Sequence, residues 1–482
     1  MIGVGALRSP VGVAFLVWIV AAVLLAIQLP ADPATGLTRS ESPFTDEGWS
    51  VLGARNAVLL GEWITDEWQL VIAQLPFNAA AWLAFEAFGV GIVQARVVSV
   101  LATSVAVVGL SLLVGRRFGV VAGLLAGLAL TLAPLTLYYG RLALLEPTVM
   151  AGLVVGFVAL VGVHGRGPLP AGVLAGTGFL IAVGSKPSAI APIAGLLIGA
   201  LVVRDARAAV GPRVMIALAT LATVGIAWLV GVGIAGISVT DALRPWPDTG
   251  LAAPPNEILE RIGRYFVGQD DRAIVANWTL ITGTVAGLVS IRHFRARLTT
   301  EQRVVIAASI GWLLVGIVVL LVVAYRPSRY VVPLLPPMAL LTGVGAALLV
   351  TGLPLRRPAI MAAALATAMG AAGVVSLVAW TRDATYRLPA IQREVMDLLP
   401  EGAVVQGGFA PTLAMRAPVT TVIPQGEVNR GDVYDRLGVR WVLEAPAEPI
   451  DWLGAHHSAW EARETVGCWS WRRGDLCLHR VP

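Results

Sequence analysis

Charged residues are scarce in this chain of 482 residues. Asp, Glu, Lys and Arg make up 13% of it, 57% is hydrophobic and the mean hydropathy is +0.77, whereas a soluble domain carries about 25% charged residues. This composition predicts a polytopic α-helical membrane protein. The net charge of +5 does not indicate a nucleic-acid partner, because the basic residues lie in short segments between apolar runs, which is a topology signal.

Motifs for nucleotides and metals are also missing. The sequence has no Walker loop, no Gly-x-Gly-x-x-Gly that opens a helix after a strand, no His-Glu-x-x-His and no Cys-x-x-Cys. Its five histidines are scattered, apart from the adjacent pair His456 and His457. We therefore expect no cofactor and no metal. An enzyme of this kind must take an activated substrate from elsewhere, and the bilayer is the natural source.

Cysteine and lysine are nearly absent. Cys468 and Cys477 are the only cysteines, too few for a disulfide scaffold. The segment between them reads as a hairpin that turns near 473–475, which places the two cysteines opposite each other and predicts a disulfide between them. Lys186 is the only lysine among the 35 basic residues, so its presence calls for a reason.

Long apolar runs dominate the first 380 residues. A spanning helix needs about 20 apolar residues, and this criterion gives about eleven candidate spans. They are 11–29, 97–114, 120–138, 148–163, 171–184, 188–203, 214–237, 273–290, 304–324, 331–350 and 359–380. The two spans beside Lys186 are short, and they are either tilted or form a re-entrant pair.

The arginines predict the orientation. The short segments on one side of the predicted spans are rich in arginine and contain only Asp205 and Glu301 as acids. The positive-inside rule then places the N-terminus in the cytoplasm and the C-terminal tail outside. Two long outer loops follow, 30–94 and 238–272. The first contains two candidate interfacial helices, Glu47–Leu60 and Leu75–Phe88, and the second contains a helix-like stretch, Asn256–Phe266.

Composition changes after Trp380. Residues 1–380 form the predicted transmembrane domain, and residues 381–482, which lack a spanning run, form a small mixed α/β domain outside the membrane. Leu388–Leu399 reads as a helix that ends at Pro400. Three short strands are predicted at Ala403–Gln406, Val419–Ile423 and Val439–Leu443.

Four polar clusters stand at the outer ends of the predicted spans. Their candidate site residues are Asp46 and Glu47; Tyr139, Arg141 and Glu146; Lys186; and Arg326, Arg329 and Tyr330. Arginine and tyrosine at a span end are commonly interfacial anchors, and this alternative stays open for Arg326 and Tyr330. Ionisable groups near the hydrocarbon are costly, which makes them functional candidates. Acids and cations together suit a base that deprotonates a nucleophile while cations hold a departing phosphate.

The order of these motifs resembles that of the C-type glycosyltransferases (GT-C). The segments that carry the resemblance are an acidic pair in the first outer loop within Thr45–Arg117, a Tyr-x-Arg-x-x-Leu-like turn in Tyr138–Pro147, a lysine turn in Gly184–Pro192, and Arg-Tyr-x-x-Pro-Leu-Leu-Pro in Arg326–Pro337. Protein O-mannosyltransferases and bacterial aminoarabinose–lipid A transferases are the nearest in kind.

The resemblance implies an inverting transfer of a sugar from a polyprenyl-phosphate donor to a hydroxyl on the outer face. Asp46 matches the family's general base, with Glu47 beside it. Arg141 and Glu146 match its second polar cluster, and Lys186 and Arg329 fall where they meet the lipid phosphate. The expected location is the plasma membrane of a prokaryote, and the expected acceptor is a glycan, a lipid or a protein.

Two features leave alternatives open. Many relatives carry Lys-Pro-Pro in the helix that ends the first loop, whereas this chain has Gln74-Leu75-Pro76-Phe77, so another cation has that role or the donor differs. A second acidic pair, Asp66-Glu67, competes with Asp46-Glu47 for the catalytic role. The competing functions are a transporter, flippase or polymerase of lipid-linked saccharides and a non-catalytic scaffold. Transporters often show inverted repeats and charges near the midplane, and neither is evident here.

Overall fold

The structure is a computed structural model of the whole chain. It describes residues 9–34, 37, 45–66, 74–162, 167–234, 278–322, 327–352, 358–424, 436–444, 460–472 and 474–482. The contacts divide the chain into two compact units. Unit 1 comprises Met1–Ile27, Val100–Arg141 and Glu146–Ala379, and unit 2 comprises Gln28–Ser99, Leu142–Leu145 and Trp380–Pro482.

Unit 1 is helical throughout its described part. Its α-helices are α1 Pro10–Ala26, α5 Ile92–Phe118, α6 Val120–Thr131, α7 Pro134–Tyr139, α8 Leu145–Gly162, α9 Pro168–Ser185, α10 Ile190–Val202, α11 Arg207–Ile234, α12 Trp278–His293, α13 Thr300–Val322, α14 Leu335–Gly352 and α15 Pro358–Arg382. Three of these α-helices, α5, α8 and α15, also contribute residues to unit 2. Unit 2 contains the helices between α1 and α5, which are α2 Thr45–Ser50, α3 Leu52–Leu60 and α4 Leu75–Phe88.

Every predicted span overlaps one of these helices. Within the described residues, seven helical segments are long and apolar enough to cross a membrane, and α1, α6 and the segment Pro187–Val202 are shorter apolar helices. The chain is thus a multi-pass membrane protein. The number of crossings and their orientation stay predictions.

Glycine allows close helix packing in unit 1. Gly195 on α10 and Gly311 on α13 face each other so closely that a Cβ on either would overlap the carbonyl oxygen of the other. Small residues at such contacts let helix backbones approach, and dispersion forces then hold the helices together in lipid. Larger side chains at either position would separate this pair of helices.

Unit 2 unites the first long loop with the C-terminal tail. Its tail begins with α16 Arg387–Leu398, whose first turn is capped by a residue of the loop. Asp32 accepts hydrogen bonds from the backbone N–H groups of Arg387 (2.9 Å) and Leu388 (2.9 Å) and from the Thr385 hydroxyl (2.6 Å). A carboxylate here satisfies backbone donors that have no partner within the helix. The predicted tail domain at 381–482 therefore packs with residues 28–99 in one unit.

The tail also forms a mixed sheet of five strands. These are β1 Val404–Gln406, β2 Thr420–Val422, β3 Trp441–Glu444, β4 Glu464–Trp471 and β5 Gly474–Arg480, and a short helix, α17 Ala410–Leu413, joins β1 to β2. The order is β2-β1-β3-β5-β4, with β1 parallel to both β2 and β3 and with β5 antiparallel to β3 and β4. The three predicted strands correspond to β1, β2 and β3.

The cysteines lie opposite each other in the β4–β5 hairpin. Cys468 and Cys477 are register partners, and a disulfide joins them, with Cα atoms 4.2 Å apart. Arg473, near the predicted turn, lies outside the described residues, as do Asn256–Phe266 and the whole 238–272 loop.

The predicted interfacial helix Leu75–Phe88 is α4. Phe77, Ala81 and Phe85 on one face are buried in the core of unit 2, while Leu83 and Phe88 are 62% and 76% exposed. The helix thus presents apolar side chains on a second face, which a bilayer surface would cover. Its placement on a membrane stays a prediction.

Candidate active site

The acidic pair divides into two different environments on α2. Asp46 is half-buried, whereas the Glu47 side chain is fully buried. Both Glu47 carboxylate oxygens accept from Arg96 of α5, Oε1 from Nε and Oε2 from Nη2, each at 2.7 Å. Paired hydrogen bonds between a guanidinium and a carboxylate fix both side chains in one geometry. Glu47 is therefore engaged, and Asp46 is the more accessible acid.

Arg96 and Glu47 also bind backbone. Arg96 Nη1 donates to the carbonyls of Leu29 (2.7 Å) and Ala31 (2.6 Å), and Glu47 Oε1 accepts from the Ala143 N–H (2.9 Å). One buried ion pair thus joins α2, α5, the end of the first apolar run and the turn at 142–145. A buried charge is tolerated when its partner and its remaining hydrogen bonds are in place, as they are here.

The rival acidic pair is only partly described. Asp66 is 8% exposed and follows α3, where the Asn56 amide donates to the Thr65 hydroxyl at 3.0 Å. Glu67 lies outside the described residues. Asp66 is thus the more buried of the two candidate aspartates.

A second charged cluster lies in unit 1. Lys186 is in extended conformation between the end of α9 and the short 3-10 helix Pro187–Ala189. Its Nζ donates to Glu146 Oε1 at 2.6 Å, and both residues are buried. Pro187 favours this break, because a proline disfavours helical conformation in the residue before it. The break places the single lysine of the chain against an acid at the start of α8.

Arg329 and Tyr330 complete the cluster around Lys186. Arg329 Nε lies 3.4 Å from Glu146 Oε1, and the Lys186 Nζ lies 3.6 Å from the centre of the Tyr330 ring. An ammonium over an aromatic face is a favourable cation–π contact. Two cations, Lys186 and Arg329, thus lie beside one buried carboxylate in unit 1.

Two further predicted residues lie in unit 1. Tyr139 OH is hydrogen-bonded to Ser328 Oγ at 2.6 Å, in the 3-10 segment Ser328–Leu334, which also carries Arg329 and Tyr330. Arg141 Nη2 donates to the Ile27 carbonyl. The cluster therefore gathers Tyr139, Glu146, Lys186, Arg329 and Tyr330 around one 3-10 segment. Arg326 lies outside the described residues.

Two residues that the sequence did not single out contact the predicted ones, Arg96 in unit 2 and Ser328 in unit 1. In the sequence, Arg96 stands just before the predicted span 97–114, where an arginine is usually read as an interfacial anchor. Ser328 is not part of any recognisable motif. An arginine one turn into an apolar helix is costly unless paired, which is the signal that would have identified Arg96. Among the described residues, no three His, Cys, Asp or Glu side chains form a group that could hold a metal, and metal dependence stays untested.

Comparison with known proteins gives a match in structure only. Neither a family model nor a curated protein matches the sequence. ArnT from Cupriavidus metallidurans matches in its apo state with a TM-score of 0.68 at 15% identity, and bound to undecaprenyl phosphate with 0.60 at 16%, over 97% of both chains each time. The apo oligosaccharyltransferase of Archaeoglobus fulgidus matches with 0.50 at 12%, over 89% of this chain and 69% of that chain. The predicted resemblance to GT-C enzymes is thus confirmed for the fold.

Proposed function

We propose that this chain, which has the GT-C fold, is a glycosyltransferase that moves a sugar from a polyprenyl-phosphate donor to an acceptor hydroxyl. The observation that carries the proposal is the buried Glu146–Lys186–Arg329 cluster, in which Lys186 Nζ lies 2.6 Å and Arg329 Nε 3.4 Å from one carboxylate. We assign Lys186 and Arg329 to an anionic lipid headgroup, whose oxygens an ammonium and a guanidinium would hold by charge-assisted hydrogen bonds.

A phosphate is the anion that this cluster suits. Arginine and lysine are the side chains that bind phosphate oxygens in proteins, and a buried cation that binds the departing phosphate stabilises the transition state by about 3–4 kcal/mol. The matching ArnT structure contains undecaprenyl phosphate, which supports a polyprenyl phosphate as the lipid. The GT-C resemblance implies a lysine near Gln74-Leu75, where this chain has none, and Lys186 and Arg329 are our candidates for the missing cation.

In the proposed reaction, Asp46 is the general base. The acceptor oxygen forms a bond to the anomeric carbon as the bond from that carbon to the phosphate oxygen breaks, which inverts the configuration. The hydroxyl proton passes to the Asp46 carboxylate, and the polyprenyl phosphate leaves with the electron pair. Because an aspartate is a weak base for an alcohol, proton transfer is late and coupled to bond breaking. No step calls for a cofactor.

Glu47 has a different role in this proposal. Its two oxygens are held by Arg96, so we assign it the task of fixing α2 rather than that of a second base. Arg141 and Glu146 match the second polar cluster of the GT-C resemblance, and we assign both, with Tyr139, to substrate binding. Transfer on the outer face of a prokaryotic plasma membrane, to a glycan, lipid or protein, completes the proposal.

The best single test is an activity assay. Purified protein in detergent would be incubated with a radiolabelled polyprenyl-phosphate sugar, and the products would be separated as transferred sugar, hydrolysed sugar and intact donor. Transfer or slow hydrolysis supports the proposal. An intact donor in that assay, together with donor movement between leaflets of protein-containing vesicles, would instead favour the flippase alternative.

Lys186→Met is expected to weaken binding of undecaprenyl phosphate by about 10- to 100-fold, because a hydrogen bond to a charged group contributes about 1.5–3 kcal/mol. Lys186→Arg keeps the charge and is expected to retain most of the affinity. Lipid binding is measured by native mass spectrometry or by displacement of a fluorescent lipid phosphate.

A double variant separates direct contact from a change in local charge. Lys186→Met leaves Glu146 with less compensation, and repulsion by Glu146 alone would weaken phosphate binding. If Lys186 itself binds phosphate, the double variant Lys186→Met/Glu146→Gln still binds undecaprenyl phosphate weakly. If the double variant recovers wild-type affinity, the assignment of Lys186 as a phosphate ligand is wrong.

A further inference from the structure

The helix that carries Asp46 is held by the C-terminal tail. Gly48 N–H donates to the Thr412 hydroxyl at 3.1 Å, and the Trp49 indole N–H donates to the Gly408 carbonyl at 2.7 Å. Thr412 belongs to α17, and Gly408 lies in the turn before it. Both contacts lie within unit 2 and join consecutive residues of α2 to segments more than 350 positions away.

The backbones of α2 and α17 are also in close contact. A Cβ added to Gly48 would lie less than 3.0 Å from the Thr412 nitrogen and from the Pro411 carbonyl carbon. Because both neighbours are backbone atoms, no side-chain rotation would relieve the overlap. α2 is only six residues long, so a displacement at Gly48 also moves Asp46, two residues earlier in the same helix.

Arg55 adds a second connection from the same loop to the tail. Its guanidinium is buried and donates to the carbonyls of Ala414, Met415, Ala417 and Val419 at 2.5–3.1 Å. Burial lowers the pKa of Arg55 to about 9, so it is still a cation at neutral pH. The segment 414–419 directly after α17 is thus tied to α3, which follows α2 in the chain.

Thr412 is itself fixed from the other side. The Gln392 side chain on α16 donates to the Thr412 carbonyl at 2.6 Å, and both residues are buried. A continuous path of hydrogen bonds therefore runs from α16 through Thr412 to Gly48 on α2. The hydroxyl of Thr412 is the link in this path that a conservative substitution removes without a change of shape.

We propose that Thr412 is a positioning residue for Asp46, so that the C-terminal tail sets the catalytic geometry of the transferase. The inference rests on the proposed function, because it takes Asp46 as the base. Displacement of a catalytic group by about 1 Å costs up to about 100-fold in rate, whereas the cations assigned to the lipid phosphate belong to unit 1 and are untouched. The rate of transfer, not donor binding, therefore depends on Thr412.

Thr412→Val tests the proposal, with Thr412→Ser as rescue. Valine keeps the shape of threonine and removes the acceptor, and serine restores it. The matched control is Thr421→Val on β2, because Thr421 is equally buried in the same unit and its hydroxyl has no hydrogen-bond partner within the described part of the chain. A loss of kcat that is caused only by burial of a valine would appear in both Thr412→Val and Thr421→Val.

We expect Thr412→Val to lower kcat about 10- to 100-fold while the Kd for undecaprenyl phosphate stays unchanged. Thr412→Ser and Thr421→Val should keep the wild-type kcat. Hydrogen–deuterium exchange of the peptide that covers residues 45–50 should be faster in Thr412→Val only. A kcat for Thr412→Val equal to that of Thr421→Val, or equal losses in kcat and in donor affinity, would overturn the proposal.

Two further variants complete the design. If Thr412→Val fails to fold, Trp49→Phe replaces it as the test, because it removes the hydrogen bond to the Gly408 carbonyl. The same loss of kcat at an unchanged donor Kd is expected for Trp49→Phe. Asp46→Asn is run in parallel. An active Asp46→Asn enzyme refutes the proposed function, whereas an inactive one together with a fully active Thr412→Val enzyme refutes the positioning role alone.

Discussion

Asp46→Asn is expected to reduce sugar transfer by about 10²- to 10⁴-fold, the range that a general base contributes. Asparagine has the size of aspartate but cannot accept the proton of the attacking hydroxyl. Folding and donor binding should be unchanged, because Asp46 is half-buried at the start of α2 and the donor phosphate is assigned to unit 1. Transfer is measured with a radiolabelled polyprenyl-phosphate sugar at saturating donor, and binding is measured separately.

Asp66→Asn is the matched control for the base. The two aspartates have the same sequence context, Thr-Asp-Glu, and the same substitution at Asp66 should leave kcat near wild type. Loss of transfer in Asp66→Asn with full activity in Asp46→Asn would exchange their roles. Full activity in both variants would show that neither Asp46 nor Asp66 is the general base.

Arg96→Met is expected to destabilise the protein by about 3–5 kcal/mol, the cost of leaving one member of a buried ion pair without its partner. The substitution removes both hydrogen bonds to Glu47 and the two to the Leu29 and Ala31 carbonyls. The pair is 1% and 0% exposed, so water cannot replace these bonds. Thermal unfolding in detergent, followed by intrinsic fluorescence, measures the loss.

A double-mutant cycle shows whether the two residues act as one unit. Glu47→Gln alone leaves the Arg96 charge buried and should also destabilise strongly, whereas Glu47→Gln/Arg96→Met should cost clearly less than the sum of the single variants. Additive costs would contradict a direct pair. Because Glu47 is assigned to hold α2, residual transfer by folded Glu47→Gln enzyme is expected to exceed that of Asp46→Asn. The reverse order would make Glu47 the base.

Local sequence determined the secondary structure of this protein. Each predicted span overlaps a helix in the described part of the chain, although 120–138 is divided between α6 and α7; a segment in lipid must satisfy its backbone hydrogen bonds internally. Short runs rich in β-branched residues predicted β1, β2 and β3. Cys468 and Cys477 are register partners in a hairpin, as their spacing predicts. The order of short polar motifs along the chain was enough to predict the GT-C fold, which the comparison with ArnT bears out at 15% identity.

Only the tertiary structure decided what the acids do. Asp46 and Glu47 are adjacent and chemically alike, and no local pattern separates them. Glu47 is buried because Arg96, 49 positions later, binds it, and the helix that carries both acids rests on Thr412, 364 positions from Gly48. Likewise, Glu146, Lys186 and Arg329 come from separate segments that meet around one carboxylate. Local periodicity predicts which face of a helix or strand is apolar. The roles of the acidic and basic side chains depend instead on contacts between distant segments, which only the folded chain defines.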